Sequence, residues 1–242
     1  MTDDRIDLLD HGYIRLIDVM GNDLSIIRSA RVSHNADWRA GKGPASDERL
    51  MNYLWSNNHT TPFECCTLTV EVQAPILVFR QWHRHRTQSY NEMSARYTEL
   101  PELFYLPDHV IIGKQSTTNK QGRTLDLPPG EELDRMYEVD RVKEHNTRAF
   151  ALYRDLIAAG WPKELARSHL PVSTYSRMFA TMNLLNAFRF LTLRNDPHAQ
   201  YEIRVYAEAL TQLLVKTQRF DVAMRTFARW KPKMIDMDAD EN

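Results

Sequence analysis

The apolar residues of this chain change period along its length, and that change limits the folds open to it. Residues 13–19 (Y-I-R-L-I-D-V) and 67–73 (T-L-T-V-E-V-Q) alternate, and the second run is rich in β-branched residues, so each predicts a strand. Gly21, Asn22 and Asp23 supply a turn and a helix cap after the first strand, with a helix expected through Arg31. Ser46 is placed to cap a second helix carrying Leu50, Met51, Leu54 and Trp55. Thr61 before Pro62 has the form of another N-cap, and Pro75 can open a helix through Trp82. From residue 149 the spacing is helical: Ala149, Leu152, Tyr153, Leu156 and Ile157 share a face, and Gly160 with Pro162 separates that helix from the next. Tyr206, Ala209, Leu210, Leu213 and Leu214 repeat the pattern in a helix for which Asp196 is the expected cap. These stripes describe core. The whole reads as α+β, a mixed or antiparallel sheet flanked by helices with a helical second half.

Composition narrows the function classes. Of 242 residues, 43% are hydrophobic, enough for a substantial core. Residues 1–235 are expected to form one domain, 236–242 an acidic frayed tail, and the polar stretch 113–130 a mobile surface loop. Lys plus Arg number 31 against 32 Asp plus Glu, so a net charge of -1 gives no global attraction to nucleic acid or to an anionic membrane. The N-terminus lacks the pattern of a signal peptide and no apolar run approaches the ~20 residues of a membrane span, so a cytoplasmic protein is expected. The two cysteines, Cys65 and Cys66, are adjacent, which suits neither a disulfide framework nor a zinc pair and reads as two reduced, largely buried thiols.

Nucleotide signatures of the glycine-rich kind are missing, because Gly41 and Gly43 have neither a third glycine nor the Lys-Ser/Thr of a phosphate loop. The chemistry concentrates instead in residues 79–96, F-R-Q-W-H-R-H-R-T-Q-S-Y-N-E-M-S-A-R. Four arginines (Arg80, Arg84, Arg86, Arg96) and two histidines stand there against one acid, Glu92, with Ser89 and Ser94 as neutral donors; this is the composition of an oxyanion pocket. His83 and His85 could form a metal pair, but no third ligand follows at a suitable spacing and the neighbouring cations oppose a dication, so no metal is expected. An RNA-binding loop, with Trp82, Tyr90 and Tyr97 as stacking rings, is the alternative function, and a solvated charged loop is the bland one.

The segment Arg84-His85-Arg86-x-x-Ser89-x-Asn91-Glu92-x-Ser94-x-Arg96 resembles, at all eight fixed positions, the R-H-R-x-x-S-x-N-E-x-S-x-R signature of flavin-dependent thymidylate synthases. The resemblance extends to V-M-G-N-D-L-S at residues 19–25, Arg31-Val32-Ser33, His59-x-Thr61-Pro62-Phe63-Glu64, Gln81, Arg167 and Leu193-Arg194-x-x-x-His198-Ala199-Gln200. It implies an α+β homotetramer with active sites at subunit junctions, dUMP as substrate, FAD as cofactor, and methylenetetrahydrofolate and NADPH or NADH as co-substrates. By similarity Gln81, Arg84, Glu92, Ser94, Ala95, Arg96 and Arg167 hold dUMP, with Ser94 and Arg96 at its phosphate and Ala95 supplying backbone. Ser33, Thr61, Arg84, His85, Arg86, Glu92 and Asn183 match FAD contacts, and His59 matches a histidine of the flavin and folate region. Arg194 matches the catalytic arginine paired with the uracil ring. A flavoprotein that keeps the nucleotide site without methylation shares all of these features. Leu185 departs from the family, where Arg often stands and holds FAD; Arg189, one helical turn on, is expected to replace that charge.

Overall fold

The structure, a computed structural model, describes residues 5–117, 122–124 and 130–239, with side chains described through residue 230. The alternating run near the N-terminus forms β2 (Gly12–Met20), antiparallel to β1 (Arg5–Leu8) on one side and β3 (Thr67–Pro75) on the other. β3 is paired on its free side by β7 (Tyr175–Asn183), and β4 (Ser89–Glu92) completes the order β1-β2-β3-β7-β4. Every pairing in this sheet is antiparallel. Register sets the layers: Leu68, Val70 and Val72 lie opposite Met182, Ala180 and Met178, all buried on the helix-covered face. The other face carries the hydroxyl pair Thr69–Thr181 at 2.9 Å and a buried carboxylate, Glu71, compensated by Arg15 at 2.5 Å and Arg177 at 3.6 Å.

Helix starts depend on local chemistry, and here several boundaries differ from those expected. Gly21 turns the chain at φ +88°, where a Cβ would lie 2.6 Å from Cys66 Sγ. Asn22 then caps α1 (Asp23–Val32) in a reciprocal box with Ser25, as its sequence suggests. α2 (Pro44–Ser56) begins at Pro44, so Ser46 lies inside the first turn and its hydroxyl accepts from Arg31 instead of capping. Thr61 is the first residue of a 3₁₀ turn (Thr61–Cys65) and not its cap. α3 (Ile76–Trp82) follows Pro75 as expected. The stretch 113–130, expected as a loop, pairs its ends as β5 (Lys114–Gln115) and β6 (Arg123–Thr124) after α4 (His109–Ile112); 118–121 and 125–129 lie outside the described residues.

The second half is helical apart from β7: α5 (Glu131–Ala158), α6 (Lys163–Ala166), α7 (Leu184–Arg194), α8 (Tyr201–Lys216) and α9 (Asp221–Ala239). The acidic end expected to fray lies outside the residues whose side chains are described. α8 starts after Gln200 because Asp196 turns its carboxylate to the His198 N–H at 2.8 Å and closes a separate turn. On α5 Tyr153 is buried, but Leu152, expected on the same face, is 47% exposed. Among the described residues no helix is long and apolar enough to cross a membrane.

Aromatic packing joins these helices. Phe188 of α7 stacks on Phe227 of α9 at 4.5 Å and meets Trp55 of α2 edge-on at 5.4 Å. A smaller cluster sets Phe150 and Tyr153 of α5 against Ala95, Leu100 and Ala166. Replacing Phe188, fully buried, with Ala is expected to destabilise the fold by about 3 to 5 kcal/mol. Denaturant unfolding checks this; a loss below about 1 kcal/mol would show that the three helices do not depend on that ring.

Candidate active site

Trp82 ends α3 fully buried against Phe190 at 4.5 Å, so the residues after it emerge along the flank of α7. His85 packs edge-on against Phe190 at 4.9 Å, and the amide of Asn186 donates to the Thr87 carbonyl at 3.3 Å. The Tyr90 hydroxyl, from β4, sits 2.7 Å from the His85 carbonyl and 3.2 Å from that of Trp82 and fixes the turn between them. Arg194, in the last turn of α7, donates from Nε to His85 Nε2 at 3.0 Å and from Nη2 to the Gln81 carbonyl at 3.3 Å. Accepting at Nε2 requires a neutral imidazole. Burial, reinforced by the Arg194 charge, pushes the His85 pKa down to about 4. Arg194 is itself lowered, first by burial and then by Arg84. The positive charge of this cluster therefore rests on guanidinium groups, not on the histidine.

The second half of the motif lies beyond β4, in a cleft of about 640 Å³ lined by Arg80, His83, Glu92, Ser94, Arg96 and Arg167 among others. Ser176 of β7, 3% exposed, donates its hydroxyl proton to Glu92 at 2.7 Å. Ser94 Oγ accepts from the Arg96 N–H at 3.3 Å, and its carbonyl accepts from Tyr97 and Thr98. Ala95 is buried in the smaller core, which anchors the loop. Arg96 pairs with Glu164 of α6 at 2.9 Å, and Arg167 follows in the 3₁₀ turn Arg167–His169.

A third group surrounds a cleft of about 790 Å³ at the end of α1, where Ser33, His59 and Thr61 meet Arg31, Arg39 and Tyr53. Asp47 holds Arg31 Nη2 at 2.6 Å, while Arg31 Nε is buried without a hydrogen-bond partner. Leaving that donor buried and unmatched is costly. Hydroxyls, an imidazole and guanidinium groups of this kind fit a dinucleotide phosphate.

The expected site residues thus fall into three groups, and the clefts at Ser94 and Ser33 share no lining residue. Arg84 and Arg86 are exposed beside the His85–Arg194 pair. Gln81 binds Gln200 at 2.5 Å. The Asn183 side chain caps α7, accepting from Asn186 N at 2.9 Å, a structural duty its spacing did not reveal. Leu185 is buried at 3% exposure while Arg189 is exposed with a long 3.4 Å contact to Asn186, so the two do not present one face. Ser176, Glu164, Gln200 and Arg31 emerge as partners; Arg31 and Gln200 stand in matched segments, whereas Ser176 and Glu164 carry no motif. Stacking on RNA is ruled out for one of the three rings proposed, Trp82, which has no exposed surface; Tyr90 is partly buried with its hydroxyl bound inward, and Tyr97 is exposed. Cys66 is buried and its thiol is pushed up to about 12 by burial and then by Cys65, which makes it a poor nucleophile.

Residues 15–218 match the family model described as thymidylate synthase complementing protein, Thy1. The chain belongs to that family, the flavin-dependent thymidylate synthases. Members from Ruegeria pomeroyi and Rickettsia prowazekii are 41% and 42% identical over 236 and 229 residues. The alignments cover 96% and 88% of this chain and 76% and 75% of theirs. Among solved structures, a UMP/dUMP methylase, PolB from Streptomyces cacaoi bound with 5-Br dUMP, superposes with a TM-score of 0.79 at 33% identity. That match covers 93% of this chain and 97% of the other. The same enzyme bound with 5-Br UMP gives 0.78.

By NMR titration, His85 is expected to stay neutral down to about pH 4, and acidification through that value should break the Arg194 Nε contact. In Arg194→Ala the pKa should rise but remain below the ordinary 6.5, because the larger cause, burial, persists. An unperturbed value near 6.5 in the parent would refute the pairing.

Proposed function

We propose that this chain methylates dUMP at C5 to give dTMP, with FAD bound as the flavin, methylenetetrahydrofolate as carbon donor and NADPH or NADH as reductant. The observation that carries the mechanism is the Arg194 cluster. Of the five N–H donors of a guanidinium, two are used by His85 and Gln81, which aim the group and leave donors for a ligand. Uracil C5 is a weak nucleophile. A fixed cation at the N3/O4 edge stabilises the ring anion that carries electron density to C5, and neutral His85 holds it there without competing for that anion. FAD, when bound, supplies the hydride that completes the methyl group after itself being reduced by nicotinamide.

Phosphate binding falls to Ser94, Ala95, Arg96 and Arg167, with Gln81, Arg84 and Glu92 completing the nucleotide site. Arg96 is at present held by Glu164, so an incoming dianion exchanges one charge partner for a stronger one. Ser33, Thr61, His85, Arg86 and Asn183 are assigned to FAD and His59 to the flavin and folate region; Arg189, exposed, remains available to the FAD phosphates. The working site is completed between chains of a homotetramer in this reading, which agrees with the clefts at Ser94 and Ser33 being separate in one chain. The match to dUMP-methylating relatives supports this reading over an RNA-binding module. The thiols take no part.

Anaerobic incubation with dUMP, methylenetetrahydrofolate, FAD and reduced nicotinamide should yield dTMP by chromatography. Arg194→Lys should lose it while keeping flavin absorbance, because an ammonium cannot make the planar contacts. Turnover near the parent's in that variant would remove Arg194 from its role.

A further inference from the structure

A basic cleft of about 600 Å³ has no part in the reading above. It lies between the β5–β6 hairpin, the turn at 197–200 and the first turn of α8, with Arg123, His198, Tyr201 and Arg204 in its wall. Its volume is that of a small-molecule site. Arg123 and Arg204 flank the Tyr201 ring at 5.3 and 5.8 Å. Among the described residues the one carboxylate of the lining, Glu202, is 3% exposed and already receives Arg123 at 3.3 Å, the Tyr105 hydroxyl at 3.2 Å and the Gln200 amide at 2.8 Å. Arg204 donates to the Pro197 carbonyl at 3.1 Å and reaches Glu208, outside the cleft, only at 3.5 Å. Among the described residues the wall itself sets two guanidinium groups against one carboxylate, with Glu208 at 3.5 Å from Arg204 and Asp196 at 2.9 Å from His198 as the carboxylates behind it.

Its position gives that charge a use. Gln200, in the wall, accepts from Gln81, and the Gln81 carbonyl accepts from Arg194. The cleft is therefore two hydrogen bonds from the cation assigned to the uracil ring, yet outside it. We propose that it binds the glutamate tail of the folate co-substrate, with Arg123 and Arg204 pairing to the tail carboxylates. This rests on the proposed use of a folate donor. The reacting end of that donor must reach uracil C5, and its other end carries at least two carboxylates that must lie nearby. Carboxylates spaced along a tail suit two guanidiniums separated by a ring; a diphosphate needs contiguous donors.

The test is equilibrium binding of p-aminobenzoyl-triglutamate, which lacks the pterin, to the full-length protein loaded with FAD and dUMP. The parent should bind it more tightly than p-aminobenzoylglutamate, with an affinity that falls as salt rises. Arg123→Gln and, separately, Arg204→Gln should each weaken triglutamate binding by roughly three- to tenfold at unchanged flavin content. Arg204→Gln leaves the Arg123–Glu202 anchor intact, so it decides the matter if Arg123→Gln disturbs the hairpin. Equal affinity for the two fragments, or variants that alter only the KM for the nicotinamide, would overturn the tail site. Parallel turnover separates the two readings: no dTMP with the triglutamate preference intact fails the proposed reaction alone, and dTMP without the preference fails the tail site alone.

Discussion

The placement of the signature depends on one continuous unit, β7 running into α7. As a strand, β7 holds β3 on one side and β4 on the other, so the middle of the signature is fixed as a sheet edge by backbone hydrogen bonds. As a helix, α7 lies along the residues before β4, with Phe190 and Arg194 at His85 and Asn186 at Thr87. The part after β4 is seated by the small core on α5. Rigid elements thus set the geometry of a segment that is itself mostly irregular, the arrangement expected of a binding site that must be preorganised.

Guanidinium groups dominate the electrostatics of the candidate site. Burial and then the Arg84 charge lower the pKa of Arg194, the buried Nε of Arg31 has no acceptor, and Arg96 pairs with a half-exposed glutamate. In the proposed reaction, pairing with phosphate or an anionic ring would offset the cost of holding these groups. The neutral His85 keeps this field constant across the physiological pH range.

Period and caps made much of the fold legible: the alternating strands, the capping box at Asn22 and the buried stripe of α8 are local properties. Boundaries failed where a side chain found a tertiary partner. Ser46 serves Arg31 and Asp196 closes its own turn, which no local pattern encodes. The signature, and with it the family, was legible because spacing alone carries it. What spacing hides is the partner across the fold: Ser176 beneath Glu92 depends on strand register, Glu164 on the packing of α6, and the Asn183 side-chain carbonyl oxygen also caps α7. One period argument misled, since Leu185 and Arg189 are a turn apart yet one is buried and the other exposed.

The central claim is that the groups in the Ser33 cleft and those in the Ser94 cleft serve one reaction although a single chain keeps them in separate clefts. Subunit mixing tests it directly. A variant disabled at Thr61 and Ser33 and another disabled at Ser94 and Arg167 are each expected to be inactive, and co-expression of the two should restore dTMP formation to a measurable fraction of the parent rate. Mixed assemblies, verified by mass, that remain as inactive as either variant would show that each chain builds its own site and would contradict the account.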